Sequence, residues 1–350
     1  MRVEELSGLL RGVGFYTYKI EAMHNSFGDK IRISLYGASH APQIGICIEG
    51  VPQGVPLSVE DFEEDLARRR AGAKGTTARR ESDIPNIVSG VANGVTTGEM
   101  IEITFSNSDT RSHDYSQFEH HPRPSHVDLT ARHKYGEEFD LRGGGIFSGR
   151  LTAVLVAAGV VAKKLIPEVK FSTRIVEIGG ERDEARFAEV VAAAQVDGDS
   201  VGGVVECVAE GVERGVGEPY FDSVESVIAH LLFSVPAVKG VEFGSGFEGV
   251  RLRGSQRNDA IIDAEGRTAT NNEGGINGGI ANGNPIVVRA AIKPTPSISR
   301  EQMTYDFEQG EVTPLIIKGR HDACITLRAG VVVEAVVAIA LAELKLQKRG

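Results

Sequence analysis

Cysteine is scarce in this chain of 350 residues, and the three present, Cys47, Cys207 and Cys324, lie far apart with no Cys-x-x-Cys pair. That argues against a disulfide framework and the usual thiolate zinc sites, and points to a reducing cytoplasm. An excess of positive charge is also missing: the formal net charge of −10 argues against a general nucleic-acid binder. Proline is sparse at 13 residues and there is no low-complexity tract, so disorder is not expected. No uncharged stretch reaches the roughly 20 residues of a membrane span. The nearest are Leu151–Ala162, stopped by Lys163-Lys164, and Ala329–Ala342, interrupted by Glu334 and stopped by Glu343. Both read as buried helices, and no membrane partner is expected. Met1–Ala22 lacks an apolar core followed by a small-residue cleavage site, so it does not read as a signal peptide.

Glycine, by contrast, is plentiful at 42 residues, in a chain 41% hydrophobic and 25% charged. Such a balance belongs to a soluble globular protein with ample core and many tight loops. Apolar residues roughly alternate from Lys30 to Glu49, giving a strand that enters a loop at Gly37–His40. Ser58-Val59-Glu60-Asp61 opens a helix that closes at Arg68-Arg69-Arg70 and Gly72. Ile84–Val91 and Met100–Phe105 read as strands, Arg150–Leu165 as a helix. Val169–Ile178, Ala185–Ala194, Gly202–Ala209 and Ser223–Phe233 follow as strand, helix, strand, helix. Val241–Phe243, Val250–Leu252 and Pro285–Ile292 read as strands and Gly330–Lys348 as the last helix. The polar stretches Asn107–Gly149 and Asn271–Asn284 are too long for idle connections. The reading is α+β, one intertwined domain with two active-site loops.

Five constellations could carry chemistry. His40, at a strand end in Gly37-Ala38-Ser39-His40, is exposed enough to reach a ligand or is simply structural. Arg68-Arg69-Arg70 with Lys74, Arg79 and Arg80 either complements a helix C-terminus or binds a phosphate-rich ligand. His120, His121 and His126 suggest a metal at first sight, but no cysteine is near and the spacing fits no common zinc pattern, so none is expected. Arg142-Gly143-Gly144-Gly145 running into a helix is either a close approach of backbone to an anion or a plain turn. Lys318–Gly330 sets Arg320, His321, Asp322 and Arg328 within nine positions: two guanidinium forks, an imidazole and a carboxylate. One decoy, Gly244-Ser245-Gly246-Phe247-Glu248-Gly249, satisfies Gly-x-Gly-x-x-Gly but is followed by strand-like Val250-Arg251-Leu252 instead of a helix, so a Rossmann fingerprint is rejected there.

These segments resemble those of chorismate synthase, in that family's order, over nearly the whole chain from Met23 onward. Arg320–Ala329 resembles RHDPCxxPRA with Ala323 and Leu327 at the prolines. Gly37–Ala41 resembles GESHG, with Ala38 and Ala41 replacing Glu and Gly, and Arg123–Asp128 resembles RPGHAD with Ser125 for Gly. Arg142–Thr152 resembles RGGGRSSARET with Ile146, Phe147 and Leu151 replacing Arg, Ser and Glu, while Gly274–Gly283 and Lys293–Ser297 match GGIxGGIxxG and KPTxS fully. The resemblance implies antiparallel sheets packed with helices over 23–350, after an extension 1–22 upstream of Met23 as natural start. It also implies phosphate elimination from 5-enolpyruvylshikimate 3-phosphate to give chorismate, with reduced FMN, NADPH as a possible reductant, and a homotetramer. By resemblance, His40, His126 and Asp322 are catalytic; Ser148, Pro236, Ala237, Gly278, Lys293, Pro294, Thr295, Pro296, Ser297 and Arg320 bind flavin. Arg69, Lys74, Arg123, Arg150 and Arg328 bind substrate or NADP. The rival reading is a relative that binds flavin or a phosphorylated ligand without catalysis, suggested by Ala38, Ile146, Leu151, Ala323 and Leu327.

Overall fold

Alternating isoleucines build the first sheet. The structure, a computed structural model, describes residues 25–70, 72, 75–76, 81–108, 117–136, 139–319 and 321–348. Strands β1 (Ser26–Phe27), β2 (Arg32–Gly37), β3 (Gln43–Glu49), β4 (Asn86–Ser89) and β5 (Ile101–Ser106) form an antiparallel sheet ordered β1-β2-β3-β5-β4. Ile33 pairs with Ile48, Ile46 with Ile103 and Ile44 with Phe105. Because side chains alternate along a strand, these residues share one face, and all are buried.

A second antiparallel sheet, ordered β8-β9-β7-β6, contains β6 (Lys170–Ile178), β7 (Gly203–Glu210), β8 (Val238–Phe243) and β9 (Ile286–Ile292). Along β9 buried and half-buried positions alternate strictly, with Val288 opposite Cys207 and Ala290 opposite Val205.

The helices are α1 (Glu63–Arg69), α2 (Asp128–Tyr135), α3 (Thr152–Leu165), α4 (Phe187–Val196), α5 (Val224–Ser234) and α6 (Gly330–Gln347), apart from shorter turns. Helix α3 packs on the first sheet, α6 on the second, and the two pack on each other. Both are apolar nearly all round, which is the pattern of a buried helix. They touch so closely that a Cβ on Gly159 would lie 2.4 Å from Ala335 Cβ. The segment Arg142–Leu165 has the length and hydropathy of a membrane span, yet 72% of its most apolar window is buried inside the fold.

Two carboxylates of α6 are buried in this core. Glu343 accepts from the backbone N–H groups of Asp29, Lys30 and Ile31, anchoring the turn before β2. Glu334 receives both Arg68 Nη1 at 3.0 Å and Nη2 at 2.7 Å, as well as Lys163 Nζ. Arg68, counted among the candidate ligand-binding cations, is thus committed to the core.

The structure corrects several expectations. Val250–Leu252 is not a strand: β8 is followed by helical turns at Gly246–Gly249 and Gly254–Arg257. Asn107–Gly149 contains α2 in its second half, and Asn271–Asn284 contains a small hairpin pairing Ile276–Asn277 with Ile280–Ala281. A further hairpin pairs Gln302–Asp306 with Glu311–Leu315. His121 is spent there, its Nε2 lying 3.3 Å from Thr304 O and 3.2 Å from Thr313 Oγ1. The proposed extension 1–22 lies outside the described residues.

Burial alone would raise the pKa of Glu334, but the bonds and charges of Arg68 and Lys163 hold it below the ordinary glutamate value of 4.5. Its ionised form therefore stabilises the fold above that pH, and the contribution is lost as pH falls through the lowered native value. Glu334→Gln should cost, at neutral pH, the low end of about 3–5 kcal/mol, because Arg68 is partly solvated. Urea denaturation should find the gap between variant and parent narrowing below the ordinary glutamate value. A gap independent of pH would overturn this assignment.

Candidate active site

The chain entering α3 makes a turn without side chains. Gly143, Gly144 and Gly145 have φ of 61°, 86° and 56°, a left-handed region that favours glycine. A Cβ on Gly143 would lie 2.5 Å from His40 Cε1 and 2.6 Å from Ser39 Oγ. One on Gly144 would lie 3.8 Å from His126 Cε1 and 3.7 Å from Ser148 Cβ. The turn is tied down by Ser39 N donating to Gly145 O at 3.0 Å. His40, His126 and Ser148, widely separated in sequence, are therefore brought together around it.

Asp128 organises the next layer. Arg123 grips its carboxylate through Nε at 2.8 Å, Nη2 at 2.7 Å and the backbone N–H at 3.1 Å. His126 Nδ1 lies 2.7 Å from Asp128 Oδ1. An ionised carboxylate only accepts, so Nδ1 carries the hydrogen, and the neutral ring keeps its lone pair on Nε2, towards Gly144. Burial, reinforced by Arg123 and Lys293, pushes His126 below the ordinary histidine value despite Asp128. Burial would raise Asp128, but the bonds from Arg123 and His126 hold it well below the usual carboxylate range.

The Lys293–Ser297 loop runs past the same residues. Lys293 Nζ donates to Ser125 O at 2.8 Å, and Ser297 Oγ accepts from Arg123 Nη1 at 3.2 Å. Lys293 N donates to Ala237 O at 2.9 Å, which brings Pro236-Ala237 alongside. Ser125 and Ala237 are non-glycine residues in left-handed conformation, at φ of 57° and 75°. Strain of that kind gathers at functional sites. Pro294 packs on Gly202, Thr295 O accepts from Ser200 Oγ at 2.7 Å, and Pro296 stiffens the loop before Ser297.

The segment before α6 completes the cluster. Arg328 Nη2 donates to Asp322 Oδ2 at 3.2 Å, and Asp322 is buried. Burial, with Arg123 and His126 close by, pushes His321 down to about 4 against the pull of Asp322. These effects put His126, His321, Arg123 and Asp322 within electrostatic reach of one another.

Arg69 and Arg150, expected to contact substrate or NADP, are anchored by a shared carboxylate. Both pair with Asp83, Arg69 Nη1 at 2.8 Å and Arg150 through Nη1. Arg69 also donates to Thr152 Oγ1 at 2.9 Å and Gly149 O at 3.1 Å, and Arg150 to Asn107 Oδ1 at 2.9 Å and Ser106 O at 3.2 Å. They hold the entry to α3 beneath the glycine turn. Burial brings Arg69 down to about 10 despite Asp83, with Arg328 and Arg150 adding to the effect. Gly278 lies at the tip of a hairpin whose neighbour Gly279 packs on Ser223 and Glu218. Lys74 and Arg320 lie outside the described residues.

Asp83 and Asp128 escaped the sequence assignment, and His321, singled out there as an imidazole, was given no role. The two-residue spacing of His126 and Asp128 could have revealed one of them. The site suits a flavin: Thr295 Oγ1 and His321 Nε2 are buried polar atoms without a hydrogen-bond partner among the described residues, beside the cations Arg123, Lys293 and Arg328. Ring amides and a phosphate would meet both needs.

Two histidines, a carboxylate and several fixed cations around bare backbone define an enzyme acting on an anionic ligand. The chorismate synthase family profile matches residues 31–346. A chorismate synthase of Chitinophaga pinensis is 54% identical over 92% of this chain and 96% of its own length. Those of Korarchaeum cryptofilum and Archaeoglobus fulgidus are 43% and 44% identical over 91% and 93% of this chain and 96% and 98% of their own lengths. A crystal structure of chorismate synthase superposes with a TM-score of 0.71 at 29% identity, covering 93% of this chain and 94% of that one. The chain belongs to the chorismate synthase family.

Gly143→Ala should displace His40, since the added methyl meets both its ring and Ser39. Turnover should drop about tenfold or more for a misplacement near 1 Å. The check is steady-state kinetics beside a thermal melt, and unaltered kinetics would remove the turn from the site.

Proposed function

We propose that this chain converts 5-enolpyruvylshikimate 3-phosphate to chorismate by eliminating the 3-phosphate and a C6 hydrogen. Above all, the Arg123–Asp128–His126 assembly beside Asp322 supports this reading. Reduced FMN, the family's cofactor, would supply electron density to the allylic system when bound. Ser148, Lys293, Thr295, Ser297 and the Pro236-Ala237 backbone would hold it, with Arg320 at the matching family position.

The protein's own groups do the rest. Arg123 and Arg328, oriented by Asp128 and Asp322, present guanidinium edges to the substrate's anionic groups. His40 protonates the departing phosphate. His126, neutral and fixed through Nδ1, holds a proton-exchanging Nε2 at the turn. Asp322 assists removal of the C6 proton.

The five departures from the family motifs weigh against the non-catalytic alternative. Leu151 lies in the main core with Ile146 against it, Ala323 and Leu327 pack in a smaller apolar cluster, and Ala38 is buried. None removes His40, His126 or Asp322. We further propose a cytoplasmic homotetramer, as the family resemblance implies, with NADPH a candidate reductant.

His126→Ala and Asp322→Ala should each lower turnover by about 10²–10⁴ with folding retained. Anaerobic assay with chemically reduced FMN, following chorismate absorbance and phosphate release, checks this, and unchanged turnover removes that residue from the mechanism. The acid limb due to His126 should fall below pH 6.5, the ordinary histidine value, because His126 lies under it.

A further inference from the structure

We infer that His321 is a ligand-positioning residue whose Nε2 hydrogen-bonds an uncharged polar atom of the bound flavin or substrate. This deepens the reading above and rests on it. His321 Nε2 is buried and has no hydrogen-bond partner among the described residues. A polar atom left so in a finished fold costs about 1–3 kcal/mol, which a ligand atom would recover. The ring is not loosely placed: a Cβ on Gly319 would lie 2.8 Å from that same Nε2, so bare backbone confines it.

The neighbours define what the atom can take. Arg123 is close by, its guanidinium bonded to Asp128 and Ser297, and Asp322 is bound by Arg328. The cations of the site are suited to the ligands' anionic groups. A neutral imidazole edge among them suits a ring N–H, a carbonyl or a hydroxyl. Both ligands carry such atoms, the flavin on its pyrimidine edge and the substrate at its free hydroxyl.

The test uses the full chain and two readouts: oxidised FMN titrated by fluorescence, and substrate KM and kcat with reduced FMN. His321→Ala should weaken one of the two, FMN affinity or KM, by about tenfold, the equivalent of about 1.4 kcal/mol. Turnover at saturation should stay within about threefold, because ligand binding and not chemistry has lost a bond. His321→Gln, which keeps a polar atom near the Nε2 position, should restore most of the loss. Which constant moves identifies the ligand. Should His321→Ala fail to fold, as judged by its melt, Gly319→Ala presses on the ring without removing it and should weaken the same constant. Both constants within about twofold of the parent, in a folded variant, would overturn the inference. No turnover by the parent protein would instead overturn the functional reading, and FMN titration alone would then decide the role of His321.

Discussion

Everything at the site depends on the close packing of two helices that have almost no polar face. Thr152–Leu165 and Gly330–Gln347 are buried between two sheets and meet where Gly159 lies against Ala335. Apolar burial of this kind fixes position tightly, because a packed interior tolerates little displacement. The glycine turn and Ser148 lead directly into the first helix, and His321, Asp322 and Arg328 into the second. The reactive groups are thus mounted at the starts of the most rigid elements in the molecule. Those helix starts also carry a positive dipole end, which favours anions.

Carboxylates supply the second organising force. Asp83 holds Arg69 and Arg150, Asp128 holds Arg123 and His126, Asp322 meets Arg328, and Glu334 holds Arg68 and Lys163. Concentrated cations would otherwise repel one another in a poorly solvated place. The arrangement divides them by role. Arg68, Arg69 and Arg150 are consumed in holding the fold. Arg123, Lys293 and Arg328 remain on the side where His126 and His321 lie. An acidic protein can in this way present a locally basic site.

Legibility in the sequence followed physical contrast. Strand Val169–Ile178 and the helix at Ser223–Phe233 were placed within a residue or two, because burial imposes a clear period on them. Helix Asp128–Tyr135 was invisible, since only Asp128 and Ala131 are buried and apolar residues mark no face. The hairpin Gln302–Leu315 is exposed along most of its length and escaped for the same reason. Histidines near glycine-rich turns could be read as a site. The roles of Arg69 and Arg150 could not, because a sequence displays a charge without its counterion. Asp83, their shared counterion, is adjacent to neither in the chain.

The departures from family motifs indicate what those motifs demand. Ser125 stands where glycine is usual, yet it keeps a φ of 57° and its carbonyl still receives Lys293. The motif there specifies a backbone path, which serine follows at a cost of about 1–2 kcal/mol. Ala323 replaces a proline, and its N–H, which proline would lack, donates to Gly75 O at 2.9 Å. Leu327 replaces the other proline, and its Cδ1 comes within 3.5 Å of the point a Gly75 Cβ would occupy. The two changes converge on Gly75. Loss of proline stiffness before the last helix is thus offset by a hydrogen bond and an apolar contact between that segment and the loop after Arg69.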